Sequence, residues 1–282
     1  MKKINWHAGF VPAMKLELLD NEDDLVFEEE HPVDKRGNWI DLLIIRYDKK
    51  VKISSKIGEI FDKYNIFEYK SPEDTADLGS FYKTLAYTSL YLKERHEYDK
   101  YGSSAFTMNI VCSHKPGKMM KQLKRDGIEC TETAIKGIYR ISGRIPFSAQ
   151  IIITSQIPKE CPWLNLLTKN ATEEKVSNLV DNTKRLTDGK YREYANDVAS
   201  IFFLANQTYF ESIQEDKNNM NNKVWNEIFA EQHKKELAEK DEIIAKKDKA
   251  LEKKEKTIAK NKSEIAKLKK QIAALQSKVG VL

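Results

Sequence analysis

Three charged residues sit in strand-like segments whose pattern otherwise calls for apolar side chains. Asp41 lies in Ile40-Asp-Leu-Leu-Ile-Ile45, and Glu68 and Lys70 lie in Asn65-Ile-Phe-Glu-Tyr-Lys70. Residues i and i+2 of a strand face the same way, so Glu68 and Lys70 project together while Phe67 and Tyr69 face the other layer. Burying charge is costly unless the charge is paired or bound to metal. If the two strands are neighbours, Asp41 and Glu68 converge as a pair of oxygen ligands of the kind Mg2+ takes beside several waters. Lys70 beside them offers a charge to a phosphate under attack or orients a nucleophile. Glu17, on the first expected helix, offers a further carboxylate. On these residues alone, a same-face salt bridge on an edge strand is the competing explanation.

The elements that must position these groups follow from periodicity. A helix is expected over Val11–Leu19, with Pro12 in its first turn. A strand starts at Leu25-Val-Phe27, and Trp39–Arg46 reads as a strand covered on both faces. Ile60-Phe61 and Ile66–Lys70 suggest two more, separated by the turn Asp62–Asn65, with Ser71-Pro72 as a stop. A long helix is expected from about Thr75 to His96, with Leu78, Phe81, Leu85 and Leu92 on one face. Strands are expected at Ala105–Cys112, Ile138–Ile141 and Ser148–Thr154, and a helix at Gly117–Arg125. Helices close this part over Ala171–Leu186, with Asn170 and Glu173 as a capping pair, and over Tyr191–Ile213. Strands flanked by helices make an α/β architecture.

The 282-residue chain has a formal net charge of +5. From Glu215 to the C-terminus there are 17 Lys, no Arg and 12 acidic residues, so the tail carries the whole excess and the first 214 residues balance. A globally basic nucleic-acid-binding body is thereby excluded, though a local basic groove is not. The 27 aromatics, nearly all in those 214 residues, allow a sizeable core. No apolar run approaches the ~18–20 residues of a membrane span, and MKKINWHAGF lacks the apolar stretch of a secretory signal. Cys112, Cys130 and Cys161 form no C-x-x-C, which favours a reduced, cytoplasmic setting, with Cys112 a buried structural thiol. His7, His31, His96 and His114 read as structural or exposed rather than as ligands. The common signatures of dinucleotide, NTP, zinc-protease and esterase sites are all missing.

From Leu237 the composition turns to Ala, Glu, Lys, Leu and Ile. Leu237, Ile244, Leu251, Ile258, Ile265, Ile272 and Val279 recur every seven residues, and Leu268, Leu275 and Leu282 fill the second seam near the end. This predicts a coiled coil over 237–282, favouring a parallel homodimer, after a helical linker over 215–236. A partner of another kind, or a lone charged helix, is the alternative.

The pattern Asp41 … Glu68-x-Lys70, with Glu17 on an upstream helix, resembles the active site of the PD-(D/E)XK nuclease superfamily. Leu16-Glu-Leu18, Leu25-Val-Phe-Glu28, Ile40–Ile45, Asn65-Ile-Phe-Glu-Tyr-Lys-Ser-Pro-Glu-Asp74, Phe81–Tyr87, Gly137-Ile-Tyr-Arg140 and Gln150–Thr154 resemble the bacterial Rpn-like recombination-promoting nucleases, also described as PD-(D/E)XK family transposases. The likeness spans roughly Trp6 to Gln214, with Ile40 where the superfamily name has Pro, and it does not reach the heptads. It implies a restriction-endonuclease-like central mixed sheet flanked by helices over 1–214. It implies Asp41, Glu68 and the Tyr69 carbonyl as ligands of Mg2+ (or Mn2+), Lys70 as the catalytic lysine and Glu17 as the helical carboxylate. Lys83, Tyr87 and Tyr91 form a ridge on the helix after the motif strand, with Lys83 and Tyr87 as candidate substrate contacts. The implied activity is metal-dependent endonucleolytic cleavage of double-stranded DNA, linked to recombination or transposition. The alternative is a non-catalytic binding or assembly protein that oligomerises through its coiled coil.

Overall fold

The computed structural model describes residues 4–33, 37–48, 50–95 and 102–215. The chain divides into two compact units, Met1–Val224 and Trp225–Leu282, and every described residue belongs to the first. The expected coiled coil at 237–282 lies outside the described residues, as does almost all of the linker.

The architecture is α/β. Seven strands, β1 (Leu25–Pro32), β2 (Trp39–Arg46), β3 (Tyr64–Lys70), β4 (Phe106–Cys112), β5 (Ile128–Glu132), β6 (Ile138–Gly143) and β7 (Ser148–Ile153), form one mixed sheet in the order β1-β2-β3-β4-β7-β6-β5. The pairs at either flank are antiparallel, whereas β3, β4 and β7 run parallel at the centre. Central strands that are covered on both faces become continuous apolar runs, and β4 is buried along its whole length.

Helices cover both faces. On one lie α2 (Leu78–Glu94) and α3 (Gly117–Arg125), whose Phe81, Met119 and Leu123 join Met108, Ile110, Ile151 and Ile153 in a core cluster. Asp77 starts α2 through a capping box with Ser80. On the other face lies α1 (His7–Glu17), whose Phe10 ring stacks on Tyr69 at 4.3 Å. Helices α4 (Glu173–Arg185), α5 (Gly189–Ala205) and α6 (Gln207–Glu215) follow. Gly9 lets α1 and α5 close together, since a Cβ there would lie 2.9 Å from Ile201 Cγ1. Among the described residues no helix is long and apolar enough to cross a membrane. The three cysteines are free thiols, and Cys112 is buried.

The structure corrects several expected boundaries. α1 begins at His7, so Pro12 lies beyond the first turn and withholds an N–H from the ladder. Ile60 closes a short 3-10 turn and Phe61 follows it, so neither forms a strand. Strand β5, a partly exposed edge strand, was not anticipated. Thr172, not Asn170, caps α4 by accepting from Lys175 N. The expected helix over 191–213 breaks at Asn206, whose side chain donates to Thr168 O and Phe202 O and accepts from Ala171 N.

A row of fully buried polar side chains crosses the α1 face. Thr107 donates to Asn65 Oδ1 at 2.8 Å, Asn109 donates to Thr107 Oγ1 at 3.0 Å, and Gln150 donates to Asn109 Oδ1 at 2.8 Å. Arg140 completes it by donating to Gln150 Oε1. Since each member has partners, the row avoids the penalty of unsatisfied burial and ties β3, β4, β7 and β6 in register.

Candidate active site at the β2–β3 corner

The antiparallel β2–β3 register sets Leu42 opposite Phe67 and Leu43 opposite Ile66. The pairing ends there, and continuing its alternation by one residue puts Asp41 and Glu68 on the sheet face covered by α2. The strands part there, and the Tyr69 N–H donates to Asp41 Oδ2 at 2.7 Å in place of a ladder bond. A strand residue's N–H and C=O point to the same side, so the Tyr69 carbonyl opens toward the same gap.

Glu68 is 2% exposed, and two ammonium groups hold it. Lys70 Nζ lies 2.9 Å from Oε1, and Lys83 Nζ, reaching down from α2, lies 2.8 Å from Oε2 and 3.0 Å from Oε1. Burial works against the Lys83 ammonium. The hydrogen bond and charge of Glu68, with the charge of Asp41, outweigh it and raise the Lys83 pKa above the ordinary lysine value. Lys83 also lies over the Tyr87 ring at 5.2 Å, and the Tyr87 hydroxyl donates to Asn38 Oδ1 at 3.1 Å. Tyr91, the third member of that ridge, is core: it is buried against Tyr64 and Phe106.

His7, at the start of α1, read as structural or exposed, is part-exposed with its Nε2 3.5 Å from Asp41 Oδ2. Its hydrogen bond to Asp41, against partial burial and with the charges of Asp41, Glu30 and Glu68, raises its pKa above the ordinary imidazole value. Glu30 falls in the same cross-strand row, opposite Asp41 by the β1–β2 register. Nothing in the spacing of His7 marks it, because it reaches Asp41 only through tertiary packing.

The donor set can be tested against a divalent ion by counting lone pairs. A carboxylate offers about four. On Glu68 the lysines occupy most of them, and on Asp41 the partners among the described residues all use Oδ2, which leaves Oδ1 open to them. One open site on each acid, with the Tyr69 carbonyl, suits Mg2+, which keeps most of its shell as water. Among the described residues no group of three or more His, Cys, Asp or Glu side chains is placed to hold a metal, so a metal held by protein ligands alone does not fit.

Glu17 is not brought to this corner. It ends the 11-residue helix that His7 begins, about 15 Å away along the axis at ~1.5 Å per residue. Its Oε1 accepts from Trp163 N at 2.8 Å and Leu164 N at 2.9 Å, joining α1 to the segment after β7. Burial, partly offset by these two hydrogen bonds, raises its pKa to about 8 from 4.5. The native chain therefore holds this proton while the unfolded chain loses it. Stability falls as pH rises from about 4.5 to 8 and levels off above, by roughly 5 kcal/mol at most. Glu17→Gln keeps the acceptor and should flatten this slope in urea-unfolding curves at pH 5.5 and 8; an unchanged slope would contradict the assignment.

The Tyr69 hydroxyl is buried without a hydrogen-bond partner among the described residues, and desolvation raises its pKa. Tyr69→Phe retains the stacking on Phe10 and the backbone N–H held by Asp41. It should raise stability by about 1–3 kcal/mol, read as a higher denaturant midpoint at constant m. A loss of stability would mean that the hydroxyl has a partner. No protein-family model, curated protein or solved structure matches the chain.

Proposed function

We propose that the chain is a metal-dependent endonuclease hydrolysing phosphodiester bonds of double-stranded DNA, built on a restriction-endonuclease-like frame. The observation that carries this reading is the hydrogen bond from the Tyr69 N–H to Asp41 Oδ2, which brings Asp41 to the residue between Glu68 and Lys70, with Lys70 ion-paired to Glu68. Asp41, Glu68 and the Tyr69 carbonyl hold Mg2+, or Mn2+ in its place. When bound, the ion supplies charge neutralisation and water activation for hydrolysis. Lys70 stands beside the attacked phosphate, offsets the charge that grows there and orients the incoming water. Lys83 and Tyr87 line the α2 side of the corner, where Lys83 reaches a neighbouring phosphate. Glu17 serves the fold rather than the reaction. The three thiols suit a cytoplasmic setting, and the heptads pair two copies so that both strands can be cut in a recombination or transposition event.

The near-neutral balance of two carboxylates and two lysines also suits a structural ion-pair network in a non-catalytic assembly protein. The purified full chain distinguishes the two. Conversion of supercoiled plasmid to nicked and linear forms with Mg2+, stopped by EDTA, supports the nuclease; no conversion with Mg2+ or Mn2+ favours the assembly protein.

A further inference from the structure

Helix α3 presents an unneutralised cationic face. Residues Lys115 to Arg125 include four Lys and one Arg and no acid, in a body whose charges balance as a whole. Met119 and Leu123, one turn apart, are buried and bolt the helix to the sheet. Lys118, Lys121 and Arg125 follow one another at helical spacing on the opposite side, with Lys124 beside them, and all four are exposed. Among the described residues none of these four is ion-paired, whereas Lys15, Lys70, Lys83, Lys169 and Lys190 all are. Lys115 is engaged over the Tyr139 ring, and the exposed acid Asp126 ends the ridge.

The location gives this face a direction. α3 follows β4, whose Cys112 lies beside Lys70 in the parallel register, and it packs on the same sheet face as α2. The ridge therefore starts a few residues past the strand end beside Lys70, and α3 runs on over β5 at the edge of the sheet. From Lys118 to Arg125 it runs about 10 Å, which matches about three phosphates of one strand at ~3.4 Å each. The apolar side of α3 is used in the core, so the helix has no face to insert into a lipid surface.

We infer that the outer face of α3 docks the phosphate backbone of a nucleic-acid duplex, an inference that rests on the endonuclease reading. The test compares the full chain with its Lys118→Gln/Lys121→Gln/Lys124→Gln variant, in EDTA, for binding to a labelled DNA duplex, to an RNA duplex and to polyglutamate across a salt series. All three positions are exposed, so the variant keeps its core. The variant should bind duplex roughly 100-fold more weakly at about 0.15 M salt, with a log–log salt slope shallower by about 3. Equal affinity and slope would overturn the inference, as would a wild-type chain that binds neither duplex or prefers polyglutamate. Variant-sensitive binding of RNA alone upholds the ridge and counts against a DNA substrate. Variant-sensitive duplex binding without cleavage in Mg2+ upholds the ridge and counts against the nuclease. Cleavage by wild type and variant at equal rates and affinities counts against the ridge alone.

Discussion

Lys70→Ala is expected to slow single-turnover cleavage of duplex DNA by roughly 10²–10³-fold while leaving thermal unfolding within a few degrees of wild type. The loss is the cost of removing one preorganised charge from where negative charge grows in the transition state. The fold tolerates it because Lys70 is partly exposed and Glu68 keeps its second partner, Lys83, at 2.8 Å. The two readouts separate catalysis from stability. Full activity of Lys70→Ala, prepared free of host nucleases, would refute the role.

Glu68→Ala is expected to act on the fold as well as the reaction. It removes the buried partner of two ammonium groups and leaves them side by side. Breaking a buried pair in this way costs about 3–5 kcal/mol; here, with Lys70 24% and Lys83 37% exposed, the lower end of that range applies. The second change in Glu68→Ala/Lys83→Met removes one of the stranded charges, so the double variant should recover much of the stability and none of the activity. The coupling between the two sites is read directly from a double-mutant cycle in urea. A Glu68→Ala chain as stable as wild type would show that solvent screens the cluster and that the pairs contribute little.

The parts of this architecture that follow from local pattern were legible in the sequence. The bounds of β2 and α3 were read as they stand, and β4 and β7 within a residue, because apolar runs and turn residues specify them. The pairing of Glu68 with Lys70 was legible for the same reason, since the two-residue period of a strand is fixed by its pleat. What escaped depends on contacts far apart in sequence. Asn206 splits a helix that periodicity runs together, because its amide reaches Thr168 and Ala171. The buried row of Asn65, Thr107, Asn109 and Gln150 carries no local signature, as each member is explained only by the next strand. His7 reached Asp41 through the packing of α1, and that same packing carried Glu17 to the far end of the helix.

The account turns on Asp41 and Glu68 acting together through a divalent ion. Asp41→Asn tests it most directly, because the amide oxygen can still accept from Tyr69 N while one of the two carboxylate charges offered to the ion is removed. Wild type and Asp41→Asn, incubated with supercoiled plasmid in Mg2+ and again in EDTA, should give nicking only for wild type in Mg2+. Equal nicking by both chains in Mg2+, or nicking by wild type that EDTA leaves unchanged, would contradict the assignment of this corner as a metal-dependent phosphodiester-cleaving site.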